Sequence, residues 1–179
     1  MISIPVHFSE RTKHQEPSLA SATSHQRKEE DSMSWVRVWV HMVFSTHNNQ
    51  PYLKKEIRAR VFQHIKDNAK EKGIWLDCVS GYHDHAHCLV SLGKEQTISR
   101  VAQLIKGESS HWINQQHLIE GTFRWQDDYW AVSVSEGDVD RVRAYIHRQE
   151  THHSRSSFAD EVKNFMKKYG WSFIEQPKQ

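Results

Sequence analysis

The first strong hydrophobic pattern in the chain is an alternation. From Trp35 to Ser45 (WVRVWVHMVFS) one parity is wholly apolar, namely Val36, Val38, Val40, Met42 and Phe44, whereas the other mixes Trp35, Arg37, Trp39, His41 and Ser45. A period of two with one apolar face predicts a half-buried strand. The spacing then lengthens: over residues 53 to 72, Ile57, Val61 and Ile65 recur at i, i+4 and i+8 among lysines and arginines, which predicts a helix ended by Gly73. Two strands are predicted at about 74 to 80 and 84 to 92, joined through Gly81. A second helix over 98 to 118 carries Ile98, Val101, Leu104, Ile105, Trp112 and Ile113, and a fourth strand follows at about 129 to 135 (YWAVSVS).

Strand, helix, strand, strand, helix, strand is the order of an α+β, ferredoxin-like split βαβ sandwich: a four-stranded antiparallel sheet with two helices on one face. The other face is expected to stay open for function. Two further helices are predicted beyond the sheet. One runs over about 136 to 150, capped by Ser135 with Asp138 at the third helical position, and one over about 157 to 169 carries Phe158, Val162, Phe165 and Tyr169.

Composition narrows the picture. The chain has 179 residues, 37% of them apolar and 26% charged, which suits one compact domain with additional segments. Residues 1 to 32 are rich in Ser, Thr, Gln and charge without apolar periodicity after Phe8, and are expected to be a disordered leader to a domain spanning 33 to 179. No apolar run approaches the ~20 residues a membrane span needs, and the first residues lack a secretory core, so a cytoplasmic protein without a membrane partner is expected. The two cysteines, Cys78 and Cys88, are too few for a disulfide framework and read as small buried residues. A formal net charge of +2 is too small to attract a polyanion in bulk, so any nucleic-acid affinity must come from local patches.

Histidine is the unusual residue, with 14 copies. In Asp84-His85-Ala86-His87-Cys88, strand parity sends Ala86 and Cys88 to the core and both histidines to the opposite face, side by side. Imidazoles at i and i+2 on one strand face can ligate one divalent cation. A chain this rich in histidine produces such a pair by chance as well, so the pair alone leaves surface or packed histidines open. Further on, Val139, Val142 and Ile146 form a buried stripe, with Tyr145 and Gln149 at i and i+4 along its margin. A tyrosine there is either a nucleophile towards phosphorus or a ring at the core edge with a wet hydroxyl.

Several segments in order strengthen the first alternative. DHAH at 84 to 87, FRWQDDYWAVSVS at 123 to 135, YIHRQETHH at 145 to 153 and SFADEV at 157 to 162, with VFSTHNNQPYL at 43 to 53 and IKGESSHWIN at 105 to 114, together resemble one family. It is the single-tyrosine HUH transposases of the smallest hairpin-ended bacterial insertion sequences, and the likeness spans about Trp35 to Trp171. The resemblance implies that His85 and His87 are the paired histidines, that Tyr145 is the nucleophile and that Gln149 is the third metal ligand. It implies Mg²⁺ or Mn²⁺ as cofactor, single-stranded DNA with hairpin ends as substrate, a 5′-phosphotyrosine intermediate and a homodimer. Asp128 departs from the family's WQxGY stretch, where glycine is expected.

Candidate DNA contacts are Arg37, Lys54, Lys55, Arg58, Lys106, Arg141 and Arg148, residues able to neutralise phosphates. Two other readings compete. The same strand order builds non-enzymatic RNA-recognition modules, which stack bases on an open sheet face; here that face offers histidines instead of aromatics. A domesticated, repeat-associated tyrosine transposase would share the whole chemistry.

Overall fold

The computed structural model describes residues 35–149 and 158–170. The expectation for the leader at 1 to 32 lies outside the described residues. Eight elements follow in order: β1 (Val38–Ser45), α1 (Lys55–Glu71), β2 (Trp75–Gly81), β3 (His85–Leu92), α2 (Ile98–Gln115), β4 (Trp130–Val134), α3 (Val139–His147) and α4 (Phe158–Tyr169). The strands form one antiparallel sheet in the order β2-β3-β1-β4, the ferredoxin-like arrangement. The two central strands, β1 and β3, therefore carry the paired histidines and His41.

Local chemistry explains the element ends. Gly73 adopts φ +66°, and α1 closes with Gly73 N–H donating to Lys70 O at 3.1 Å and Ile74 N–H to Ala69 O at 2.8 Å. This paired pattern satisfies two carbonyls of the last turn. Thr97 caps α2 by accepting from Arg100 N at 3.2 Å. Gly81 is demanded by crowding: a Cβ there would meet the His85 carbonyl oxygen at 2.1 Å. The tight β2–β3 turn thus seats His85 at the first position of its strand.

The apolar parity of β1 and β3 behaves as expected. Val40, Met42, Phe44, Ala86, Cys88 and Val90 are buried, the main core lying between the sheet and α1 and α2. Phe44 and Phe123 meet Trp125 edge-on at 4.8 and 4.9 Å, so the segment before β4 completes that core. Both cysteines are buried and reduced, and burial pushes the Cys78 thiol up to about 12.

Four boundaries differ from the sequence reading. Trp35, at 93% exposure, and Val36 lie outside the sheet, and β1 begins at Val38. The second helix ends at Gln115 instead of 118. The helix expected over 136 to 150 opens with a 3-10 turn, Glu136–Asp138, and α3 ends at His147. Ser135 Oγ bonds the Asp138 carboxylate at 2.7 Å, so its side chain does not cap the backbone.

The larger correction concerns the second sheet face, which is covered. Helix α3 packs Val139 and Ile146 with Trp39, Cys78 and Leu89, and α4 brings Phe158 and Phe165 against His85 and His41. Both helices are amphipathic, and the odd-numbered positions Trp39, Val43 and Leu89 supply an apolar surface that water does not favour leaving exposed.

Candidate active site

Strand β3 presents His85 and His87 to the covered face, as parity requires, but both are fully buried. His85 Nδ1 lies 2.6 Å from Asp84 Oδ1. A carboxylate accepting from Nδ1–H makes Nε2 the lone-pair nitrogen, the arrangement that prepares an imidazole to bind a cation. The His85 ring stacks on Phe158 at 4.4 Å with only 10° between the planes, which sets its rotation. His87 Nδ1 lies 3.0 Å from His41 Nε2 and the two rings stack at 5.2 Å, leaving His87 Nε2 directed elsewhere. His41 is itself buried and held neutral: burial first, then the neighbouring His87, push its pKa down to about 3.

Tyr145 reaches this group because α3 is clamped in place. Arg143 grips Asp77 on β2 through two hydrogen bonds of 2.7 and 3.0 Å and also bonds Asp140, while Val139 and Ile146 bury on the sheet. Half-buried at the helix margin, the Tyr145 ring stands edge-on to His87, with centroids 5.7 Å apart. Its hydroxyl donates to Glu161 Oε1, and the same oxygen lies 3.5 Å from His87 Nε2. Burial, and then the adjacent carboxylate, raise the phenol's pKa well above its ordinary value, whereas the nearby Gln149 amide acts in the opposite sense.

Donor atoms of His85, His87 and Glu161 all lie within 4.8 Å of one another, a spacing at which three ligands can share one cation. Gln149 is also fully buried, but just past the end of α3, and both heteroatoms of its amide lack a well-formed hydrogen bond among the described residues. A buried, unsatisfied amide is costly, and its oxygen is a donor of the kind a hard divalent ion accepts. The residues present therefore fit a metal ion. Beside the phenol opens a cleft of about 460 Å³ lined by His41, Arg141, Tyr145, Glu161, Phe165 and Lys168 among others.

Spacing paired His85 with His87 and Tyr145 with Gln149, the resemblance joined the two pairs, and three residues that contact them were passed over. Asp84 was detectable as the acid directly before the pair. His41 shares the parity of the histidine face on the adjacent strand. Glu161 interrupts the inward stripe Phe158, Val162 and Phe165 of α4, and an acid at an apolar position was the available signal.

The basic candidates separate by environment. Arg37, Lys54, Lys55, Arg141 and Arg148 are exposed; Arg37 pairs with Glu136 at 3.0 Å and Arg141 with Asp138 at 2.9 Å. Arg58 differs from these: it is buried, at 5% exposure, with its guanidinium 5.3 Å from the Tyr82 ring centroid. Lys106, partly buried, donates to the carbonyls of Asp127 and Asp128 at 2.6 and 3.3 Å, tying down the turn where glycine was expected. The RNA-recognition alternative needs an open sheet face, and α3 and α4 occupy it. No helix among the described residues is long and apolar enough to cross a membrane.

Comparison with known proteins bears on the fold and the family. Solved structures with the same fold include a candidate transposase from Deinococcus radiodurans R1, at 21% identity and TM-score 0.50, covering 65% of this chain and 94% of that one. Another is a REP-associated tyrosine transposase bound to a REP hairpin, at 15% identity and TM-score 0.50, covering 80% of this chain and 86% of that one. No curated protein matches. The family described as "Transposase IS200 like" matches residues 34–149, a span that holds the sheet, the histidine pair, Tyr145 and Gln149, and the chain belongs to that family of DNA transposases.

Proposed function

We propose that this transposase cuts and rejoins single-stranded DNA at the hairpin-bearing ends of an insertion sequence, with Tyr145 as nucleophile and a 5′-phosphotyrosine as covalent intermediate. The observation that carries the reading is the convergence, within one chain, of the Tyr145 phenol on the His85 and His87 pair. His85 and His87 would hold Mg²⁺ or Mn²⁺, with the Gln149 amide oxygen as a further protein donor. When bound, the ion supplies positive charge that polarises the scissile phosphate and orients it.

The chain's own residues do the rest. Asp84 and His41 hold the two imidazoles in fixed orientations, and α3, clamped by Arg143, aims the phenol at the same pocket. The Tyr145 oxygen attacks phosphorus, the P–O3′ bond breaks, and a 3′-hydroxyl strand end is released. The phosphotyrosine keeps the energy of the broken bond, so another 3′-hydroxyl can reverse the attack and join strands without ATP. Exposed Arg37, Lys54, Lys55, Arg141 and Arg148 are the phosphate contacts in this reading. Hairpin DNA is the expected partner, supported by the REP hairpin bound to the structural neighbour. Two cuts per element need two tyrosines, which supports a homodimer.

The test is a denaturing gel of the full chain incubated with labelled single- and double-stranded element ends, with and without Mn²⁺. A covalent protein–DNA band is expected with single strands and Mn²⁺ only, lost in Tyr145→Phe and in His85→Ala or His87→Ala, while native-gel hairpin binding persists. An undiminished band from Tyr145→Phe removes the nucleophile assignment.

A further inference from the structure

Helix α4 lies beyond the span that defines the family match, yet it buries a carboxylate against the Tyr145 and His87 side chains. Its inward stripe is Phe158, Val162 and Phe165, and Glu161 falls on it three residues after one phenylalanine and four before the other. At 4% exposure Glu161 is the one buried carboxylate among the described residues. Burying a carboxylate opposes folding unless hydrogen-bond donors surround it, so an apolar residue would be the simpler choice at this position. What Glu161 touches explains its presence: Oε1 accepts the Tyr145 hydroxyl and sits 3.5 Å from His87 Nε2, at the edge of the cleft that opens on the phenol.

We propose that Glu161 is a catalytic residue of strand cleavage and rejoining, the group that takes the Tyr145 proton as the phenolic oxygen attacks phosphorus. The inference rests on the reading of Tyr145 as nucleophile. In cleavage the Tyr145 O–P bond forms and the P–O3′ bond breaks. The phenolic proton moves to Glu161 Oε1, and the departing 3′ oxygen takes a proton from water. In rejoining, an incoming 3′-hydroxyl attacks the phosphotyrosine and yields its proton to water; the Tyr145 O–P bond breaks, and Glu161 returns its proton to the phenolic oxygen. A single carboxylate in contact with the reacting oxygen thus serves both directions, as microscopic reversibility requires.

The test compares wild type, Glu161→Gln and Glu161→Asp in single-turnover adduct formation on single-stranded element ends with Mn²⁺, alongside hairpin binding and Mn²⁺ binding measured calorimetrically. Glu161→Gln keeps shape and a hydrogen-bond acceptor but cannot take the proton. Its adduct rate is expected to fall by about 100-fold or more, with hairpin and Mn²⁺ affinities retained and partial activity in Glu161→Asp. Incorporating 3,5-difluorotyrosine at position 145, whose hydroxyl is more acidic, should recover much of the loss in Glu161→Gln. An undiminished Glu161→Gln rate, a loss traced to missing Mn²⁺ affinity, or no recovery by the fluorinated ring would each overturn the proposal. Absence of any adduct from wild type would instead bring down the nucleophile reading itself.

Discussion

Replacing Phe158 by alanine should uncover the histidines without unfolding the domain. Phe158 is 7% exposed, stacks on His85 at 4.4 Å and meets Trp130 edge-on at 5.9 Å. Truncating a phenylalanine buried to this degree costs about 3–5 kcal/mol, combining lost apolar burial with the space left behind. The loss falls on a small unit: α4 has 12 residues, too few to be stable alone in water, and is held by Phe158, Glu161, Val162 and Phe165. The main core uses none of these side chains. At the lower bound of about 3 kcal/mol, the ratio of docked to undocked α4 drops by roughly 100-fold. Diethyl pyrocarbonate labelling of His85, read by mass spectrometry with amide exchange across α4, should accelerate by about that factor, while the thermal midpoint of the four-stranded domain moves little. Unchanged His85 labelling would refute the reasoning, as would a midpoint that falls in step with α4 protection, because α4 would then not open separately.

Other substitutions probe the supports of the site. Ser109→Ala removes the hydroxyl that accepts Trp125 Nε1–H at 2.8 Å and donates to Ile105 O at 2.6 Å; the stranded indole N–H should cost about 1–3 kcal/mol in urea unfolding, and an unaltered midpoint would contradict that pairing. Gly81→Ala forces a methyl onto the His85 carbonyl and Ala86 Cα, so a loss of roughly 1–3 kcal/mol and weaker Mn²⁺ binding are expected, the second measured by calorimetry. The hydrogen bond from Arg143 lowers the Asp77 pKa below its ordinary 3.8, so the stability it brings is present above that value and disappears as pH falls through the lowered one. Asp77→Asn should therefore melt below wild type at neutral pH and match it in strong acid; an equal deficit at both would show that packing, not charge, is responsible.

The sequence by itself determined the order of strands and helices, the parity of β1 and β3, and the pairing of His85 with His87 on one strand and of Tyr145 with Gln149 on one helix. These follow from period-two and period-3.6 spacing, which are local properties of a chain whose residues alternate or recur by backbone geometry alone; that the two pairs share one site was implied by the family resemblance. It did not determine what covers the histidine face. That depends on where α3 and α4 come to rest, and docking is decided by surfaces distant in sequence: Asp77 with Arg143, His85 with Phe158, His41 with Phe165. Arg58 shows the same limit, because a helical arginine reads as a solvent-facing charge until the tertiary fold lays Tyr82 across it. Glu161 shows it most clearly. In sequence it is one acid in a charged helix, whereas in the folded chain it faces a phenol from α3 and an imidazole from β3, and only the packing of those three elements gives the carboxylate its chemistry.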